Sequence, residues 1–209
     1  MTAAASQIIY LGSKSPRRRE LLKQIGVHYE LLLMREVSRD APRVGDIDES
    51  PFADEPPRTY VARVTGLKAA TALAVMRSRK LPVRPILCAD TTVALNNTIF
   101  GKPDNATHAR EMLASLAGAT HQVLTAVAVA VDGDVHQALS VSEVTFARLS
   151  DDDIKRYVES GEPLDKAGAY GIQGAAAKFI TQLSGSYTGV MGLPLFETAQ
   201  LLRRAGLHI

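Results

Sequence analysis

The stretch from Val123 to Leu149 restricts the possible folds most. A β-forming run from Val123 to Val131 meets Asp132-Gly133, and a second run follows from Val135 to Leu149. Asp-Gly takes up the positive-φ turn whose twist matches that of two paired strands, so these runs read as one long hairpin. Shorter strands are expected at Ile8 to Leu11, Tyr29 to Leu33, Pro85 to Ala89 and Lys178 to Leu183, with Asn96-Asn97 as a further hairpin turn. Helices are expected from Ser15 to Gly26, Tyr60 to Arg79, Asp104 to Gly118, from Ser150 and from Leu195 to Arg204. Between Arg35 and Arg58 the chain turns polar, acidic and proline-rich, and reads as a long loop. Strands interleaved with helices around a hairpin predict an α/β fold, or α+β, built on a mixed, strongly twisted central sheet flanked by helices.

The 209 residues suit one compact domain, 1–209, or two closely packed lobes, and in the two-lobed form an active-site cleft is expected between them. Formal charge is +2, so no global field favours nucleic acid or an acidic membrane, and any positive patch must be local. Cys88 is the single cysteine, which suits a reducing cytoplasm. No run is long and apolar enough to span a bilayer.

Several constellations carry chemistry. In Gly12-Ser13-Lys14-Ser15-Pro16-Arg17-Arg18-Arg19 a strand runs into a turn that opens a helix. Free N–H groups, two hydroxyls and guanidinium groups suit a phosphate. The alternative is a capped helix with a solvated basic face, although cations oppose the helix dipole at that end. In Leu87-Cys88-Ala89-Asp90-Thr91 a carboxylate is expected at the end of a buried strand, either to hold a metal or take a proton, or to pair within a turn. Asp46, Asp48 and Glu49 offer hard oxygen ligands for Mg²⁺ or Mn²⁺, or are simply solvated. Lys68, on a helix, and Lys102, in Gly101-Lys102-Pro103, are either surface lysines or phosphate contacts. The glycine-interrupted run Pro163 to Gly174 is a shaped loop or a plain connector, and its Gln173 amide can both donate to and accept from a base edge. His108, His121 and His136 lack metal-ligand spacing and read as structural.

Taken together, Ser13-Lys14-Ser15-Pro16-Arg17-Arg18 through Glu20-Leu21-Leu22, then Lys68-Ala69, Ala89-Asp90-Thr91, Gly101-Lys102-Pro103, Gly171-Ile172-Gln173-Gly174 and Val190 to Leu195, resemble the Maf family of nucleoside triphosphate pyrophosphatases, in that family's order and over nearly the whole chain. The resemblance implies a metal-dependent cut between the α- and β-phosphates, giving a monophosphate and pyrophosphate. It implies Asp90 as the proton acceptor, phosphate contacts from Ser13, Arg17, Lys68 and Lys102, and a divalent cation, Mg²⁺ or Mn²⁺, held by Glu49 and Asp90. Arg17, Thr91 and Gln173 match the branch directed at dTTP and UTP, where the 7-methyl-GTP branch typically has Trp after Ser-Pro and Gln after the Asp. Implied with this are a nucleoside triphosphate as partner, no stable nucleic-acid partner, no membrane, a homodimer as one possible assembly, and a role in clearing modified nucleotides. Two rivals remain at this point: a non-catalytic regulator of division that binds through the same basic turn, and a phosphatase that releases orthophosphate.

Overall fold

The computed structural model describes residues 8–34 and 47–209; Asp46 and the segment 35–46 in which it lies are outside the described residues. In chain order the elements are β1 (Ile8–Leu11), α1 (Pro16–Gln24), β2 (His28–Leu31), α2 (Pro57–Ser78), β3 (Ile86–Leu95), β4 (Thr98–Phe100) and α3 (Ala106–Leu116). There follow β5 (Thr120–Val131), β6 (Asp134–Phe146), α4 (Asp151–Glu159), three short 3₁₀ segments between Glu162 and Phe179, β7 (Ile180–Ser184), α5 (Tyr187–Val190) and α6 (Leu195–Arg204). The fold is α/β with one seven-stranded mixed sheet, ordered β2-β1-β3-β5-β6-β7, with β4 pairing to β3. β1 runs parallel to β2 and β3, and the remaining pairs are antiparallel. The hairpin around Asp132-Gly133 is the spine: β5 pairs with β6 from Thr120↔Thr145 to Val131↔Asp134, and both turn residues hold positive φ, 52° and 99°.

Strand alternation divides the core between the two faces. Ile86, Cys88, Ala128 and Ala130 pack beneath α2 against Ala69, Ala72 and Met76. Leu87, Ala89, Val127 and Val129 face the other way, against Leu21 and Leu22 of α1 and Leu201 and Leu202 of α6. Further along that second face, Val93, Val123, Val144 and Phe146 meet α3 and α4. Each fully buried leucine contributes about 1.5–3 kcal/mol. Among the described residues no helix is long and apolar enough to cross a membrane.

Several boundaries differ from the sequence expectation. β3 does not stop at Ala89. Thr91, Thr92 and Val93 are β-branched, and they continue the ladder through Thr91↔Thr125 to Ala94↔Gln122, so Asp90 lies mid-strand. β2 is His28–Leu31, one residue earlier than expected and shorter, matching the four residues of β1 it pairs with. Asn105, not Asp104, caps α3: its side chain accepts from His108 N at 2.9 Å, while the Asp104 carboxylate pairs with His108 Nδ1 at 3.0 Å. β6 ends at Phe146, where a register shift redirects Ala147 N to the Phe179 carbonyl. α1 stops at Gln24, and Gly26, at φ 72°, closes it with Val27 N bonded to Leu22 O at 3.0 Å.

Candidate active site

The sheet has a gap, and the candidate residues surround it. β1 accompanies β3 only to Leu11↔Leu87, and β4 joins the same strand from Val93↔Phe100 onward. Between those points, Cys88 to Thr92 have no strand partner on that edge among the described residues. The Gly12–Ser15 turn lies against this opening, with Gly12 N bonded to Leu87 O at 2.8 Å. Only glycine fits there: a Cβ on residue 12 would sit 2.6 Å from Cys88 Sγ.

The turn is built by its own hydroxyls. Ser15 caps α1 and Pro16 opens it, while Ser13 Oγ accepts from Ser15 N at 3.2 Å. The N–H groups of Ser13, Lys14 and Arg17 have no partner among the described residues. They are the helix-start donors that an anion would meet.

Arg18 is fixed in place and Arg17 is not. Arg18 Nε donates to Gly192 O at 2.7 Å, Nη1 to Ser13 Oγ at 3.2 Å and Nη2 to Thr91 Oγ1 at 3.4 Å. Thr91 Oγ1 lies 2.9 Å from Thr125 Oγ1, whose hydroxyl donates to Gly189 O at 2.8 Å. Burial lowers the Arg18 guanidinium from its ordinary value, opposed first by the Asp90 carboxylate. Arg17 makes no hydrogen bond or ion pair among the described residues; the Asp165 carboxyl is held low against its burial chiefly by Lys166, with a smaller contribution from the charge of Arg17. The sequence names Arg18 within the basic run and singles out Arg17, yet a signal for the fixed position of Arg18 is present. Arg18 falls on the helix face of Leu21, Leu22 and Ile25, and an arginine on an apolar stripe needs buried acceptors.

Beneath α2 the structure joins three of the expected residues. Lys68 Nζ bonds Asp90 Oδ1 at 2.7 Å and Glu49 Oε2 at 2.9 Å. Lys68 and Asp90 are each 13% exposed at the side chain, and Glu49 is 52% exposed. Glu49 is held by its backbone: its carbonyl accepts from Tyr60 OH at 2.9 Å, and burial, reinforced by Asp90 and Glu49, pushes that phenol up to about 12 so that it stays a donor. Asp48 instead accepts from Ser50 N at 2.9 Å, on the exposed outside of the loop.

Asp90 and Thr91 are neighbours on opposite faces of β3, the first toward Lys68 on α2 and the second toward Arg18 and Thr125. Lys102 follows β4 and is exposed, and Gly101 O accepts from Gly168 N at 3.0 Å, tying that strand end to the glycine-rich loop. Gln173 is exposed on that loop, and neither its side chain nor that of Lys102 has a partner among the described residues. A cavity of about 260 Å³ opens beside the turn, lined by Gly12, Ser13, Lys14, Leu32 to Met34, Ile47 and Glu49. His121 is buried, its Nε2 2.8 Å from Tyr170 OH, and braces the aromatic core rather than the site.

Among the described residues no group of three or more His, Cys, Asp or Glu side chains converges on one point. Glu49 and Asp90, drawn together on one ammonium, supply two carboxylates. That is what a hard octahedral ion such as Mg²⁺ takes from a protein when phosphates and water complete its shell. Two carboxylates therefore fit a divalent cation whose remaining ligands are not protein side chains.

Known proteins resemble this chain over nearly its whole length. The chain is 56% identical over 203 residues to a dTTP/UTP pyrophosphatase of Cupriavidus metallidurans, covering 97% of this chain and 99% of that one. It is 49% identical over 209 residues to a dTTP/UTP pyrophosphatase of Nitrosomonas europaea, covering 100% of both. It is 53% identical over 209 residues to one from Ralstonia nicotianae, covering 100% of this chain and 99% of that one. The family described as Maf-like protein matches residues 8–205, and the chain belongs to that family.

Proposed function

We propose that this protein is a metal-dependent nucleoside triphosphate pyrophosphatase acting on dTTP and UTP, releasing the monophosphate and pyrophosphate. The observation that carries the reading is the Lys68 bridge between Asp90 and Glu49 at a gap in the sheet, facing a turn with unengaged amides. Lys68 occupies Asp90 Oδ1, and Oδ2 has no partner among the described residues. That oxygen takes a proton from water as the water oxygen bonds to the α-phosphorus. The bond from phosphorus to the bridging oxygen breaks, and its electron pair leaves with pyrophosphate. Negative charge rises on the phosphoryl oxygens during this step. The free N–H groups of the turn, Arg17, Arg18, Lys68 and Lys102 offset it from several sides. A divalent cation, Mg²⁺ or Mn²⁺, held by Glu49 and Asp90 would neutralise further charge on the phosphate chain. Support for the pyrimidine preference comes from Arg17, Thr91 and Gln173 and from the names of the relatives. A clearing role for modified pyrimidine nucleotides in the cytoplasm is part of the same proposal.

The test is a panel of dTTP, UTP, CTP, dGTP and 7-methyl-GTP with Mg²⁺ and with Mn²⁺, products identified. Pyrophosphate from dTTP and UTP in excess over the purines is expected. Orthophosphate as the first product, or no turnover by folded protein with either metal, overturns the proposal.

A further inference from the structure

The turn that carries Gln173 is suspended at both ends from one carboxylate. Gly174 N bonds Gly171 O at 3.0 Å, which makes Gly171–Gly174 a four-residue turn with Ile172 and Gln173 at its centre. Ile172 packs inward on the cluster of Leu11, Leu21 and Leu193, and Gln173 points to solvent. At the entry, Gly171 N donates to Tyr157 OH at 3.3 Å, and Tyr157 OH donates to Glu162 Oε1 at 2.9 Å. At the exit, Ala175 N donates to Glu162 Oε2 at 3.0 Å. Gly174 lies flat against the same carboxylate, and a Cβ there would collide with it. Lys166 Nζ steadies the segment from behind, bonding Glu162 O at 2.6 Å and Asp165 Oδ1 at 2.7 Å.

We propose that Glu162 is a positioning residue for substrate recognition: through Tyr157 and Ala175 it holds the Gln173 turn in the geometry that reads the pyrimidine. The inference rests on the reading of Gln173 as a contact to the base. The chemistry demands a carboxylate. Two donors, the Tyr157 hydroxyl and the Ala175 amide, converge on two acceptor oxygens, and the amide of a glutamine offers only one. Burial, reinforced by the Glu162 hydrogen bond, raises the Tyr157 hydroxyl above its ordinary value, so it remains the donor the brace needs. A reader that is exposed, unpaired and long needs a rigid base if its orientation is to discriminate one base edge from another.

The experiment measures kcat and KM for dTTP and dGTP in Glu162→Gln, Tyr157→Phe, Gln173→Ala and the double variant Glu162→Gln/Gln173→Ala, with a thermal melt of each. Tyr157→Phe keeps the ring packing and removes only the hydroxyl, so it carries the test if Glu162→Gln does not fold. Expected are a ~10-fold rise in KM for dTTP in both brace variants with kcat within ~3-fold of wild type, and a double variant no worse than Gln173→Ala within ~2-fold. A brace that served only stability would lower the melting temperature and leave KM and the dTTP preference untouched, which overturns the proposal. Multiplying effects in the double variant overturn it too, since Glu162 would then act elsewhere. If Gln173→Ala itself keeps wild-type KM and preference, the reading of Gln173 fails and the proposal falls with it, a pattern distinct from failure of the brace alone.

Discussion

Two basic side chains meet the same strand from opposite faces, and they are partnered in opposite ways. Lys68 bonds two carboxylates, Asp90 and Glu49, so its group carries one surplus negative charge. Arg18 bonds only neutral oxygens, Gly192 O, Ser13 Oγ and Thr91 Oγ1, so its group keeps a full positive charge. In Coulombic terms the first attracts a cation and the second an anion, and a few ångströms of strand separate them. A metal–triphosphate complex carries both signs. The site is thus polarised across β3 by its choice of acceptors, with cationic side chains on both faces.

The sharpest way to break this picture is Asp90→Asn, which keeps an acceptor for Lys68 and removes the proton acceptor. Turnover is expected to fall by ~10²–10⁴-fold with the melt little changed, and a wild-type rate of pyrophosphate release removes Asp90 from the chemistry. Next is Arg18→Lys. An ammonium cannot reach three acceptors in the fork arrangement, so kcat/KM should fall by ~10²-fold and Arg17 should not compensate. Near-normal kcat/KM would show that the charge alone matters and not its fixation. On the acidic side, Glu49→Gln should raise the Mg²⁺ concentration needed for half-maximal rate by ~10-fold, while Asp48→Asn shifts it by less than ~2-fold. The reverse order would move the metal ligand to the outside of the loop.

The smallest effect lies away from both clusters. Burial pushes His121 down to about 4 from 6.5, with its contact to the Ala119 backbone opposing. In this window the unfolded chain binds more protons than the folded one, so stability is complete above pH 6.5 and declines as pH falls toward 4. The loss is up to ~3 kcal/mol, read as the urea midpoint against pH. His121→Gln should flatten that slope without altering the dTTP preference. A change in preference would extend the recognition machinery into the aromatic core through Tyr170.

Much of this was legible in the chain. The Asp132-Gly133 hairpin, the Ser15-Pro16 helix start and the helix start at Ser150 all follow from local rules, because short-range turn and cap chemistry determines them. The resemblance paired Glu49 with Asp90, but Lys68 could not be placed between them, since that contact depends on α2 crossing a strand that extends beyond Asp90. The end of β3 was misplaced because pairing with β5 decides it, and pairing partners are distant in sequence. Thr125 and the Gly189 and Gly192 carbonyls gave no sequence signal, for a threonine in a β run and a backbone oxygen have no distinguishing pattern.

The gap in the sheet has a consequence for solubility as well. An interrupted edge in the middle of a sheet presents backbone donors and acceptors that another chain could pair with, a known route to strand addition and aggregation. Here the Gly12–Ser15 turn screens that edge, pinned by Gly12 to Leu87 and by Arg18 to Gly192. The segment proposed to receive the triphosphate therefore also covers the unpaired edge of β3. A variant that loosens the turn should fail twice, first as a catalyst and then, at higher concentration, as a monodisperse protein.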